Sequence, residues 1–118
     1  MIIVVTGPTG VGKTKLSVEL AKKYHAIIVN ADSMQVYKDL NIGTAKITEE
    51  EKENIPHYLF DIVNPEDMYT VYDYQKDVRN ILDHNKDKNI IIVGGTGLYI
   101  KAALYNYKFT DETSFDEY

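Results

Sequence analysis

Apolar residues come along this chain in short unbroken runs separated by stretches of helical period, and that alternation predicts an α/β fold. Ile2-Ile3-Val4-Val5 is β-branched throughout, which suits a strand buried on both faces of a parallel sheet. From Lys13 to about His25 the period changes. Leu16, Leu20 and Tyr24 recur every fourth residue while Lys15, Glu19, Lys22 and Lys23 mostly fill the other side, as an amphipathic helix requires. Ala26-Ile27-Ile28-Val29 is a second apolar run, so the opening reads as a βαβ unit with its right-handed crossover. Residues 33–57 are polar and irregular, and predict a loop with room for one short surface helix. Tyr58-Leu59-Phe60-Asp61-Ile62-Val63 predicts a third strand, closed by Asn64-Pro65. Thr70, with Asp73 three residues on, predicts the N-cap of a helix whose apolar stripe is Val71, Tyr74, Val78, Ile81 and Leu82. Ile90-Ile91-Ile92-Val93 is the clearest remaining strand, and Leu98 to about Leu104 predicts a short helix after a glycine turn. The sum is one three-layer α/β core over residues 1–109 with a mainly parallel sheet. Residues 110–118 are acidic and lack a periodic apolar face, so a frayed end, or a point where a longer protein was cut, is expected there.

Composition narrows the possibilities. At 118 residues, 44% hydrophobic and 26% charged, the chain fits one globular domain that buries roughly two thirds of its unfolded surface, with no demand for a disulfide or metal staple. Thirteen basic residues against eighteen acidic ones give a net charge of -5. That is the wrong sign for a stand-alone domain gripping nucleic acid by bulk electrostatics. With no cysteine, a disulfide scaffold, a thiolate metal site and a cysteine nucleophile are excluded, and a reducing, cytoplasmic setting is the expectation. No window reaches the roughly eighteen apolar residues of a membrane span, and the apolar start carries no basic flank, so neither anchor nor signal peptide is expected. The expected oligomeric state is a monomer.

The chemistry begins at Gly7-Pro8-Thr9-Gly10-Val11-Gly12-Lys13-Thr14, which satisfies G-x-x-x-x-G-K-[ST] between an apolar strand and an amphipathic helix. Its backbone N–H groups can form a nest for a di- or triphosphate, Lys13 adds a positive charge, and the Thr14 hydroxyl can ligate Mg²⁺ held by the phosphates. Such a P-loop identifies a pyrophosphate cradle without saying whether the phosphate is transferred, hydrolysed or simply leaves. Asp32 follows the second strand, and in open α/β sheets the strand carboxyl ends gather at the ligand crevice. It can therefore act as a general base or an outer ligand of Mg²⁺, or merely cap the next segment. Gly94-Gly95-Thr96-Gly97 follows the last apolar run, so Thr96 reaches the same crevice, as a ligand for a leaving diphosphate or as part of a plain turn. NTP-hydrolysing P-loop proteins usually end an apolar strand in a Mg²⁺-holding Asp. Here Ile90–Val93 ends in glycines, and Asp61 lies inside its apolar run. A motor or switch ATPase is disfavoured. Tyr69, Tyr72 and Tyr74 form a sequence cluster able to stack on bases, although tyrosines more often bury a ring and keep the hydroxyl wet. His25, His57 and His84 have no metal-ligand spacing.

The P-loop, the string Asn30-Ala31-Asp32-Ser33-Met34-Gln35-Val36-Tyr37 running on to Asn41-Ile42-Gly43-Thr44-Ala45-Lys46, and Gly94-Gly95-Thr96-Gly97-Leu98-Tyr99 together resemble the N-terminal part of the bacterial tRNA dimethylallyltransferases, also called tRNA isopentenyltransferases. The resemblance takes in Ile55-Pro56-His57 and Asn64-Pro65 as well. It implies transfer of a dimethylallyl group from dimethylallyl diphosphate to N6 of the adenosine 3′-adjacent to the anticodon in tRNA, so that the P-loop holds a leaving group. It further implies that Asp32 takes the N6 proton, that Thr96 contacts the reacting centre or its diphosphate, and that Asp32, Ser33, Met34 and Gln35 meet the adenine. Lys13, Thr14 and Mg²⁺ would neutralise the developing pyrophosphate. Family members run well beyond the length of this chain, into elements that embrace tRNA. Three alternatives share the same residues: a small-molecule kinase using ATP, an adenylate isopentenyltransferase acting on free nucleotide, and an inactive nucleotide-binding fragment.

Overall fold

The apolar runs become strands and the periodic stretches become helices in the computed structural model, which describes residues 1–7, 12–38, 47–107 and 115–117. The elements are β1 (Ile2–Val5), α1 (Gly12–Tyr24), β2 (Ala26–Asn30), β3 (His57–Tyr58), α2 (Val71–His84), β4 (Asn89–Val93), α3 (Gly97–Leu104) and β5 (Phe115–Glu117). All pairings are parallel, in the order β3-β2-β4-β1-β5. Ile2, Val4, Ile27, Val29, Ile90 and Ile92 face α2 and α3 through Tyr74, Val78, Leu82, Tyr99 and Ala103. Ile3, Val5, Ile28 and Ile91 face α1 through Val18 and Ala21. Both sheet faces are therefore covered, which is why the strands read as unbroken apolar runs rather than alternating ones. Each of these Ile and Val side chains contributes about 1.5–3 kcal/mol by leaving water.

This order creates a switch point. From β1 the chain crosses by α1 on one face, past β4, to β2; from β4 it runs by α3 on the other face, past β1, to β5. Connections that diverge in this way open a crevice at the carboxyl ends of β1 and β4.

The structure also corrects several expectations. The run Tyr58–Val63 is not one strand: Leu59 (φ 67°) and Asp61 (φ 54°) adopt left-handed backbone, which ends β3 at Tyr58. Beyond it the chain runs beside residues 35–38, with an isolated parallel bridge between Val63 and Tyr37. The face that α1 buries is Ser17, Val18 and Ala21, while Leu16 is 39% exposed. Small residues let that helix lie close to the sheet, and the larger Leu20 and Tyr24 pack at its margin. Residues 49–54 form a turn held by Thr48 and Glu51, with Glu51 N donating to Thr48 Oγ1 at 3.1 Å, and left-handed Glu53 and Asn54 end it. By contrast α2 buries its expected stripe at Tyr74, Val78 and Leu82 and carries a complete capping box. Thr70 N donates to Asp73 Oδ2 at 2.8 Å while Asp73 N donates to Thr70 Oγ1 at 3.2 Å. Within the acidic end expected to be frayed, Phe115–Glu117 pairs in parallel with β1 as an edge strand. Among the described residues no helix is long and apolar enough to cross a membrane.

Candidate active site

Three strand ends supply the site. After β1, Gly7 takes φ 141°, a backbone that side chains disfavour. Pro8, Thr9, Gly10 and Val11 lie outside the described residues. Gly12 opens α1, and the Lys13 ammonium folds back to donate to the Gly7 carbonyl at 3.0 Å. Ser17 Oγ closes on Lys13 O at 2.7 Å. The first turn of α1 carries no acidic residue, so nothing acidic in that turn offsets the partial positive charge of the helix end, and the Lys13 ammonium adds to it. Thr14 stands in the same turn, half-buried.

From β2, Ala31 N donates to Val93 O at 2.7 Å and carries the chain into Asp32 beside the end of β4. Here glycine is obligatory at Gly94. A Cβ on it would collide with the main-chain carbonyl of Ala31 and come within 2.7 Å of Asp32 N. A Cβ on Gly95 would stand 3.1 Å from Gly7 O and 3.4 Å from Lys13 Nζ. The turn between β4 and α3 thus touches the Asp32 segment with one glycine and the Lys13 segment with the next. Thr96 completes the join: its N–H donates to Ala31 O at 3.2 Å, and its Oγ1 accepts from Ser33 N at 3.0 Å. The Thr96 hydroxyl also lies 3.4 Å from Ser33 Oγ. Gly7, Lys13, Asp32, Ser33 and Thr96 are brought together as expected.

Asp32 Oδ1 accepts from Met34 N at 2.9 Å, a local bond that restricts the carboxylate rotamer. Gln35 and Val36 are held from the other side, where Asp61 N donates to Gln35 O at 3.0 Å and Ile62 N to Val36 O at 2.8 Å. This pairing explains why the end of the expected third strand turns away from the sheet. Met34 is 42% exposed.

Below this turn lies Asn30, a polar residue buried at the end of β2. Its Oδ1 accepts from Asp32 N at 2.8 Å, and its Nδ2 donates to Asp32 O and Leu59 O, both at 2.9 Å. The Tyr74 hydroxyl donates to Asn30 O at 2.6 Å, and the Tyr74 ring stacks on Tyr99 with centroids 4.0 Å apart. Burial raises the pKa of both phenols above the ordinary value, so both stay neutral and Tyr74 keeps the proton it donates. Asn30 and Tyr74 support the site although the sequence marks them only as the first residue of the string ending at Tyr37 and as one member of a helical stripe.

Other candidates separate. Tyr74 is buried and Tyr72 is 79% exposed, while the Tyr69 hydroxyl donates to Asp77 at 2.6 Å; the three do not form a stacking platform. The Tyr69 pKa is raised by burial and by its hydrogen bond to Asp77. His57 Nδ1 donates to Ile55 O at 2.7 Å against Phe60, His84 bonds to Asn80 O, and His25 occupies the left-handed position after α1. Among the described residues no group of three or more His, Cys, Asp or Glu could hold a metal ion.

Comparison with known proteins agrees with this geometry. The family model for IPP transferase matches residues 35–117. The tRNA dimethylallyltransferase of Bacillus subtilis (strain 168) is 52% identical over 115 residues, which are 96% of this chain and 37% of that protein. The namesake from Fusobacterium nucleatum is 60% identical over 100 residues, 85% of this chain and 33% of the relative. Among solved structures, the tRNA delta(2)-isopentenylpyrophosphate transferase of Staphylococcus epidermidis superposes with a TM-score of 0.81 at 49% identity, covering 94% of this chain and 37% of that one. A eukaryotic dimethylallyltransferase acting on tRNA gives 0.80 at 38% identity, covering 93% of this chain and 28% of that one. The chain therefore spans little more than a third of the length of the curated relatives it matches. Its fold is the three-layer P-loop α/β domain of these structures, and the chain belongs to the IPP transferase family.

Proposed function

We propose that this chain is the diphosphate-holding and acceptor-activating part of an enzyme that moves a dimethylallyl group from dimethylallyl diphosphate to N6 of the adenosine 3′-adjacent to the anticodon in tRNA. The observation that carries this reading is the double contact of the turn between β4 and α3, with Gly95 against Gly7 and Lys13 and with Gly94 and Thr96 against Ala31, Asp32 and Ser33. A phosphate cradle and a carboxylate on one turn suit a reaction in which the group at the cradle departs while a nucleophile beside the carboxylate loses a proton.

In that reaction the N6 lone pair forms a bond to C1 of the dimethylallyl group as the C1–O bond breaks. The electron pair leaves with diphosphate, and the N6 proton passes to the Asp32 carboxylate. Lys13 and the N-terminus of α1 stabilise the charge growing on diphosphate. Thr14, half-buried in the first turn of α1, would supply one protein oxygen to Mg²⁺. Bound there, Mg²⁺ supplies further neutralisation of the leaving group. Thr96 holds Ser33 and lies beside the reacting centre, and Ser33, Met34 and Gln35 offer the adenine its contacts. With a net charge of -5, this chain would leave the main electrostatic grip on tRNA to other parts of such an enzyme. A tRNA substrate also sets the expectation of a cytoplasmic setting.

Product analysis tests this. Dimethylallyl diphosphate, ATP, AMP and tRNA are offered separately and in pairs to this chain, and to a chimera in which it replaces the matching stretch of the Bacillus subtilis relative. N6-prenylated adenosine in tRNA, together with released diphosphate, is the expected product. ADP formed from ATP would identify a kinase instead, and prenylated AMP an adenylate isopentenyltransferase.

A further inference from the structure

We infer that Asn30 is a positioning residue for Asp32: its buried carboxamide fixes the peptide groups on both sides of the Asp32 side chain and ties them to the turn that follows β3. This rests on Asp32 serving as the base proposed above. Asparagine is an odd ending for a strand whose other residues are Ala26, Ile27, Ile28 and Val29. Burying its carboxamide is costly unless every polar atom finds a partner. Here the side chain makes three good bonds. Oδ1 accepts from Asp32 N, one Nδ2 proton goes to Asp32 O and the other to Leu59 O. A carboxamide is the smallest neutral group that offers an acceptor and two donors in one plane. Serine or alanine could not span these three backbone groups, and a carboxylate would set two acceptors against two carbonyls.

The consequence is mechanical. Asp32 begins an irregular segment that no strand ladder orders. With its N–H and C=O both held by Asn30, its Oδ1 held by Met34 N and the next N–H held by Thr96 Oγ1, the carboxylate has little freedom to drift from the acceptor amine. The Leu59 bond extends the restraint to a left-handed residue, φ 67°, in the loop whose residues 61 and 62 hold Gln35 and Val36. The Tyr74 hydroxyl grips Asn30 from the α2 side. Through its carboxamide and its own carbonyl, Asn30 thus joins Asp32, the loop after β3 and the helical layer.

Asn30 acts through Asp32 and touches no reacting atom, so its loss should appear in the chemical step and vanish when Asp32 is already disabled. Two measurements test this. In the chimera, Asn30→Ala is expected to lower the single-turnover prenyl-transfer rate by about 10-fold or more with diphosphate affinity changed less than about twofold, and to cause less than about a twofold further loss in an Asp32→Asn background. In the chain alone, hydrogen exchange of the Asp32 amide followed by NMR is expected to quicken by about 10-fold or more in Asn30→Ala, while amides in the middle of β4 keep their protection. An unchanged Asp32 amide, or equal rate losses in the presence and absence of the Asp32 carboxylate, would overturn the positioning role and leave Asp32 as base intact. Transfer by Asp32→Asn at the unsubstituted rate would overturn both.

Discussion

Gly94 and Gly95 show how far a single missing Cβ can organise a site. Gly94 is needed because its backbone lies against the Ala31 carbonyl, whereas a Cβ on Gly95 would press, at 3.1 and 3.4 Å, on the Gly7 carbonyl and the Lys13 ammonium. The two differ in what a side chain would disturb. At Gly94 the neighbour is main chain, so the join between β2 and β4 would have to open; at Gly95 one neighbour is the far end of Lys13, which can move. Gly95→Val is therefore expected to push the Lys13 ammonium from its place and weaken diphosphate binding by about 10-fold, with the melting temperature nearly unchanged because residue 95 is exposed. Calorimetric titration with diphosphate and Mg²⁺, beside a thermal melt, checks both parts.

The elements divide into those legible from local pattern and those decided by distant partners. β1, β2 and β4 are readable because strands buried on both faces must be apolar throughout. The cap of α2 is readable because both of its bonds lie within three residues. Thr70→Ala should accordingly cost about 1 kcal/mol, measured by denaturant unfolding. The run Tyr58–Val63 misleads because its composition is that of a strand, while Leu59 and Asp61 are drawn into left-handed turns by bonds to Asn30 and Gln35 across the sequence. The stripe Leu16, Leu20, Tyr24 misleads because an exact four-residue spacing drifts from the helical period, and close packing on the sheet favours Ser17, Val18 and Ala21. Next to that turn, His57 supplies a pH test. Burial, opposed by its bond to Ile55 O, lowers its pKa below the ordinary value of 6.5. The unfolded chain then binds the proton more readily, so stability is complete above about pH 6.5 and falls as pH drops from there through the folded pKa. Melting temperatures between pH 7.5 and pH 5, with His57→Gln as control, should show a decline that the variant reduces.

At the scale of the whole molecule, function depends on a topology that no motif states. The P-loop is legible because its residues are contiguous, and Asp32 and Thr96 are legible because each follows an apolar run. That the three share one crevice is expected from the rule that parallel strands end at the ligand side, and the order β3-β2-β4-β1-β5, which sets β4 between β2 and β1, shows which strand ends are neighbours. Asn30 is visible in the sequence only as the first residue of the string ending at Tyr37, and the bonds it makes are not, since its partners include Leu59 and Tyr74 as well as its neighbour Asp32. In the proposed reaction the crevice divides the labour, with Lys13 on the leaving group and Asp32 on the incoming amine. The most direct test of this division is to measure diphosphate affinity and single-turnover prenyl-transfer rate side by side for Lys13→Ala and Asp32→Asn in the chimera. Lys13→Ala should lose affinity and rate together, whereas Asp32→Asn should keep diphosphate affinity nearly intact and lose about 100-fold or more in rate. If Asp32→Asn instead weakens diphosphate binding in step with the rate, Asp32 serves the phosphate side, and the division is contradicted.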